Sequence, residues 1–296
     1  MKVLIMGGSG FIGSHLVKHL SDGNKDVTVF DVQKPNQNVE FQSGSILDAS
    51  LGDKIKDIDA DKIVNLAAIK KVSSQNYYEA FNINSLATVK LFEICRDLEM
   101  PLVHLSSTAI YGTFVYEPAD ENHPINPVSL YGLSKFLAEK IGREIIGDTN
   151  VPLTILRPTI SYGPMGDDVV TLFVKKALSN ETITLVDNGI YRRDFLFVSD
   201  LIHAINLAID EEVPGIFNVG TGNGVTIFEM SKVIQKIIPN SKIVNVVGNG
   251  KEVHQGAIDI TKIRNELNFE PRYSLEQGIN ETIKFYSGAG KPFLHL

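Results

Sequence analysis

A five-residue apolar-rich run, KVLIM, leads directly into MGGSGFIGSHL at the start of the chain, and no other stretch limits the fold so tightly. Gly7, Gly10 and Gly13 recur at three-residue intervals, and Gly8, Gly10 and Gly13 satisfy G-x-G-x-x-G. Such a turn needs glycine because the chain must leave the strand sharply and because a Cβ would hold the backbone away from a pyrophosphate; the last glycine lets helix and sheet pack closely. Amides at the helix N-terminus then face the phosphates. A glycine-rich turn can be structural only, but this one stands between a strand and a helix, where the dinucleotide fingerprint must stand to count.

The rest of the chain repeats the alternation. DVTVF, KIVNL, PLVHLSS and LTILRP read as strands, each followed by a segment of helical apolar period. Continuous apolar strands interleaved with helices predict a parallel sheet covered on both faces, an α/β Rossmann-type doubly wound fold. DVTVF leads into Asp31, eighteen positions after Gly13. A carboxylate there can accept both hydroxyls of an adenosine ribose and repels a 2′-phosphate, which favours NAD over NADP; the plainer reading is an aspartate capping a turn. After Pro158 the pattern changes, with Gly163, Pro164 and Gly166 close together. The expected division is a NAD-binding domain of residues 1–160 plus about 194–220, and a smaller mixed α/β substrate domain of about 161–193 plus 221–296. RDFLFVSDLIHAINLAI and FNVG are expected to return to the main sheet.

Composition narrows the function. At 296 residues, 43% hydrophobic and 21% charged, the chain can build one large domain or two coupled ones. A net charge of -7 with scattered Lys and Arg argues against nucleic acid as a partner. The single cysteine, Cys95, lies in the apolar-periodic KLFEICRDL and reads as a buried thiol, so no disulfide framework or cysteine metal site is expected, and no metal. The first apolar run is too short for a signal sequence or a membrane span, so a cytoplasmic protein that does not engage a membrane is expected.

SLYGLSKFLAEK, residues 129–140, sets Tyr131 and Lys135 one helical turn apart on a shared face. Spacing alone leaves open a proton-transfer pair or an inert aromatic and charge. The surrounding motifs decide between them by resemblance. MGGSGFIGSHL, NLAA (Asn65 to Ala68), Asn84, SSTAIYG (Ser106 to Gly112), YGLSK, RPTISYGP, RRDFLFVSD and FNVGTG follow in an order that resembles the extended short-chain dehydrogenase/reductase family, in its branch of nucleotide-sugar epimerases and dehydratases, UDP-galactose 4-epimerases above all. The resemblance runs to the last helical segment, LNFEPRYSLEQGINETIKFY.

That resemblance implies site residues. NAD would lie on Gly7, Gly10, Phe11, Ile12, Gly13, Asp31, Ser45, Ile46, Leu66, Ala67, Ala68, Lys70, Asn84, Tyr131 and Lys135. Ser107, Tyr131 and Lys135 match the catalytic set, and Ser107, Thr108, Tyr131, Ile160, Arg193 and His254 fall at substrate positions. A free tyrosine has a pKa of about 10. Lys135 is therefore expected both to hold the nicotinamide ribose and to lower the Tyr131 pKa. A homodimer through the helices around residues 78–99 and 129–147 is implied as well.

The same comparison selects a reaction. The 4,6-dehydratases place an acidic pair directly after the catalytic residue, where this chain has Thr108 and Ala109, and UDP-glucuronate decarboxylases carry a glutamate in that loop. Asp31 argues against an NADPH reductase. Epimerisation at C4 of a nucleotide sugar of the UDP-glucose/UDP-galactose type, through a transient 4-keto sugar, is the expectation that remains. Three positions depart from the family pattern: Ile160 replaces an asparagine, His254 or Gln255 a diphosphate-gripping arginine, and Ser45 an adenine-contacting aspartate. Arg193 is retained, and Arg192 adjoins it. The alternatives are an NAD-dependent dehydrogenase or reductase, and a dinucleotide sensor without chemistry, since the fold alone does not decide.

Overall fold

In a computed structural model, residues 1–248 and 253–288 are described. The strands are β1 (Lys2–Met6), β2 (Asp26–Asp31), β3 (Glu40–Ser43), β4 (Lys62–Asn65), β5 (Leu102–Leu105), β6 (Leu153–Pro158), β7 (Ile160–Tyr162), β8 (Ile183–Val186), β9 (Arg192–Phe197), β10 (Gly215–Val219), β11 (Gly224–Thr226) and β12 (Ile243–Val246). The helices are α1 (Phe11–Asp22), α2 (Leu51–Ile58), α3 (Tyr77–Phe81), α4 (Thr88–Asp97), α5 (Leu130–Ile146), α6 (Val169–Leu178), α7 (Val198–Glu211), α8 (Ile227–Ile237), α9 (Thr261–Leu267) and α10 (Leu275–Tyr286). Of the expected second domain, residues 249–252 and 289–296 lie outside the described residues.

Seven strands form one parallel sheet in the order β10-β6-β5-β4-β1-β2-β3. This is the doubly wound Rossmann arrangement with one added strand. β1 shows why both faces are covered. Val3 and Ile5 join the apolar cluster under α1 and α7, while Leu4 and Met6 point to the opposite face and join Leu51, Leu91 and Phe92 of α2 and α4. The strand period of two thus feeds two cores.

β3, with the sequence EFQS, is the outer edge strand and has no buried residue, so it carries no apolar signal for a sequence reading to find. The return of FNVG to the main sheet holds, since β10 pairs in parallel with β6. The return of RDFLF does not. β9 sits in a separate three-stranded sheet, β11-β9-β7, with Ile160 opposite Phe195. The chain leaves the main sheet directly after Pro158, and β7 takes β9 as its partner there. α7, which follows β9, packs against α1. Ile258, Ile263, Phe269 and Ile279 from the C-terminal part join the same apolar cluster as Val3 and Ile5.

The site follows from the sheet order. β1 lies between β2 and β4, where the strand order reverses, and the connections from their carboxyl ends diverge there to open a crevice.

Candidate active site

The glycine turn forms the floor of this crevice. Gly7 has φ +80°, and a Cβ on it would stand 2.8 Å from Ala67 N, so the turn lies directly against the end of β4. A Cβ on Gly13 would stand 2.3 Å from Gly7 O. At Gly10, by contrast, the nearest atom to a Cβ would be Gly7 O at 3.5 Å, so a side chain there would fill the open cradle. One cavity of about 320 Å³ is lined by Asp31, Ser45, Ile46, Leu66, Ala67 and Ala68 together with Gly7 and Gly10. A second, of about 790 Å³, takes in Gly7, Gly10, Phe11, Ile12, Gly13, Leu66, Ala68 and Lys70, and continues to Ser107, Thr108, Tyr131, Lys135 and Ile160. The two share the glycine turn, which makes one long groove.

Asp31 is oriented by the turn itself. Its Oδ2 accepts from Ser9 N at 3.0 Å and its Oδ1 from Gln33 N at 3.0 Å, leaving lone pairs for a ligand. Ser45 Oγ accepts from Leu47 N at 3.2 Å. Lys70 Nζ donates to Asp167 O at 3.2 Å across the groove. Asn84 reaches no ligand surface: it is 0% exposed, within a π-helical stretch, Asn82–Ala87. Its amide accepts from Ile69 N (2.7 Å) and donates to Ile69 O (2.9 Å) and Ser134 Oγ (3.0 Å). It therefore fixes the loop after β4 rather than lining the groove.

α5 carries the other wall. Ser129 caps it, accepting from Gly132 N at 3.0 Å. A Cβ on Gly132 would stand 2.5 Å from Ala109 O, so the first turn of α5 lies against the 107–111 segment, and Tyr131 comes within hydrogen-bonding reach of Ser107. Burial pushes the Tyr131 phenol up to about 12, with the Ser107 hydroxyl pulling the other way. The pull toward phenolate is expected from Lys135 together with the positive nicotinamide, and in the protein alone desolvation sets the direction of the Tyr131 shift. Burial pushes Lys135 itself down to about 8, opposed by Glu139. The Lys135 side chain is only 2% exposed, and among the described residues its Nζ has no hydrogen-bond acceptor within reach.

Glu139, one turn beyond Lys135, is a residue the sequence reading passed over. Its carboxylate accepts from Ser106 Oγ (2.9 Å) and from Arg157 Nε (3.1 Å), and pairs with Arg157 Nη2. Arg157 Nη1 donates to Tyr111 Oη at 2.8 Å, and that hydroxyl donates to Asn218 Oδ1 at 2.8 Å. A buried polar chain thus runs from α5 through β6 to β10. The helical spacing 131, 135, 139 was the available signal.

At the substrate end, Thr108 Oγ1 donates to Pro158 O at 3.2 Å and Ile160 lines the groove. Gln255 lines it too, donating through Nε2 to Thr108 O and Gly112 O. Arg193 and His254 are not among the lining residues. Arg193 Nη1 donates to Arg192 O at 2.7 Å, and His254 Nε2 faces Glu117 Oε1 at 3.3 Å.

A doubly wound sheet with a glycine turn, a carboxylate at the end of β2 and a Ser-Tyr-Lys cluster at its carboxyl edge is the arrangement of NAD-dependent enzymes of the short-chain dehydrogenase/reductase type. A sequence profile described as "NAD dependent epimerase/dehydratase family" matches residues 3–220, and the chain belongs to that family. NAD is its cofactor. The protein named "Putative UDP-glucose 4-epimerase" from Methanocaldococcus jannaschii is 32% identical, covering 96% of this chain and 97% of its own. UDP-glucuronic acid decarboxylase 4 of Arabidopsis thaliana is 30% identical over 96% of this chain and 68% of its own. The UDP-glucose 4-epimerase of Thermotoga maritima, solved with UDP-glucose, superposes with a TM-score of 0.91 at 28% identity, covering 98% of this chain and 99% of that one.

Proposed function

We propose that the protein interconverts C4 epimers of a nucleotide sugar of the UDP-glucose/UDP-galactose type. One observation carries the choice among the family's reactions. Ser107, Tyr131 and Lys135 meet in the larger cavity of the groove, whose lining, among the described residues, includes no Asp or Glu. By resemblance, the 4,6-dehydratases carry an acidic pair and the UDP-glucuronate decarboxylases a glutamate beside the proton-transfer pair, whereas here Thr108 and Ala109 hold those places and Gln255 supplies an amide to the lining.

The cradle that a Cβ on Gly10 would fill, the oriented Asp31 and the Lys135 ammonium, which has no hydrogen-bond acceptor among the described residues, all suit NAD. Bound NAD supplies reversible hydride uptake at a sugar carbon. The chain's own residues carry the proton. Tyr131 Oη takes it from the C4 hydroxyl and returns it to the 4-keto oxygen after the sugar has turned over. Ser107 Oγ holds that oxygen in line with Oη, and Lys135 Nζ donates to ribose hydroxyls and favours the phenolate during the transfer.

UDP-galactose incubated with the NAD-loaded protein is expected to give UDP-glucose by chromatography with no net rise in absorbance from NADH. Stoichiometric NADH formation would replace the epimerase by a dehydrogenase, and NAD binding without any turnover would favour the sensor.

The fold also supports a homodimer. Tyr78 (74% exposed) and Leu86 (64% exposed) lie on the stretch from α3 into α4, and Leu130, Leu133 and Ile141 are exposed on α5, which packs beside it. Burying them would form a four-helix interface. Leu133→Asp is expected to shift sedimentation from dimer to monomer; a variant that stays dimeric would place the interface elsewhere.

A further inference from the structure

Three hydrogen-bond donors and a facing histidine, from β9 and from residues 254–257, converge on the carboxylate of Glu117. Oε1 accepts from Gly256 N at 3.1 Å and faces His254 Nε2 at 3.3 Å. Oε2 accepts from Arg192 Nη1 at 3.0 Å and from Ala257 N at 3.4 Å. Each oxygen meets one backbone amide and one basic side chain. Successive amides beside a guanidinium form the donor set of a phosphate site, and here a carboxylate of the same chain fills it. The fit is close, since a Cβ on Gly256 would stand 2.1 Å from Glu117 Oε2. The cluster adjoins the groove: Gln255, between His254 and Gly256, lines it and donates to Thr108 O. Arg192 is held in place by a second bond, Nη2 to Gly224 O at 2.7 Å.

We propose that Glu117 is a specificity-determining residue acting as an internal competitor: its carboxylate holds an anion site of two amides and a guanidinium, flanked by His254, that the diphosphate of a nucleotide sugar takes by displacing it. The inference rests on the nucleotide-sugar reading above and adds a selection rule to it. A tethered carboxylate is present at high effective concentration, so only an anion of higher charge and more acceptor oxygens displaces it. A neutral sugar or a simple carboxylate does not. The Glu117 side chain is partly exposed, so it can turn to water when released.

Titration calorimetry of UDP into the NAD-loaded wild type, Glu117→Gln and Glu117→Gln/Arg192→Met tests this. Glu117→Gln keeps one acceptor oxygen, for one of the two amides, turns the other position into an NH2 donor and removes the competing charge, and it is expected to bind UDP about fivefold more tightly. The double variant is expected to lose that gain. Glu117→Asp, which draws the carboxylate back by one methylene, should fall between wild type and Glu117→Gln. UDP binding to Glu117→Gln that equals or falls below wild type, at an unchanged melting midpoint, would overturn the proposal and leave Glu117 a fixed clasp. Tighter UDP binding in a protein that does not convert UDP-galactose would sustain it while the epimerase reading fails. No UDP binding in any variant would overturn it along with the nucleotide.

Discussion

Tyr131→Phe is expected to lower turnover of UDP-galactose by roughly 10²–10⁴-fold, the range associated with loss of a positioned acid–base group, while NAD binding is kept. The substitution removes one oxygen and leaves the ring between α5 and the 107–111 segment, so the helix cap at Ser129 and the contact of Gly132 with Ala109 stay as they are. Ser107 cannot replace the missing phenol. An aliphatic hydroxyl is a far weaker acid than a phenol and does not ionise to a base at neutral pH, and the Ser107 Oγ already accepts from Ala109 N at 3.1 Å. Burial holds the free phenol near 12, so proton transfer at neutral pH depends on charges that arrive with the ligands and on Lys135 remaining charged. Turnover measured with saturating NAD, alongside NAD affinity by fluorescence quenching, separates the outcomes. Unchanged turnover would rule out Tyr131 as the base, and a parallel loss of NAD binding would make it a cofactor contact.

Local features of this chain were legible and distant pairings were not. The glycine turn, Asp31 and the Tyr131–Lys135 spacing are each specified within one strand–turn–helix unit, so their arrangement follows from backbone geometry that sequence reveals. Glu139 stands at the next turn of the same helix, yet a glutamate in FLAEK looks like any solvated helix face until Arg157 is brought to it from β6. The misplaced strand β9 has the same cause. RDFLF reads as a strand whichever sheet receives it, and the choice is made by pairing with β7, which no period within the segment encodes. Glu117 was invisible for a related reason: its partners come from β9 and from residues 254–257, so its meaning exists only once those segments meet. Asn84 shows the converse. Its sequence position was informative, but the side chain acts through Ile69 and Ser134 and contributes to the groove by holding its edge.

The largest effect on stability is expected at the Glu139–Arg157 pair. Both side chains are 1% exposed, so each charge has been taken out of water and is offset by the other. Glu139→Ala leaves the guanidinium buried with only Tyr111 Oη and Glu121 O to receive its protons, and leaves Ser106 Oγ without the acceptor it uses. Breaking one side of such a pair costs about 3–5 kcal/mol, a large share of the roughly 5–15 kcal/mol that holds a domain folded. The denaturant midpoint should therefore fall steeply, with the slope of the transition unchanged. Glu139→Leu combined with Arg157→Met removes both charges, and it is expected to recover most of that loss, because no charge is then left without a partner. Activity should not recover with it. Glu139 is the group that opposes the downward shift of Lys135 to about 8, so without Glu139 the ammonium is lost at lower pH and the alkaline limb of turnover moves toward neutrality. A double variant that is stable, binds NAD weakly and has its pH profile displaced downward would show that the pair supports the Lys135 charge as well as the fold. A single Glu139→Ala costing under about 1 kcal/mol would show instead that water reaches the Arg157 guanidinium, and would remove the pair from both roles.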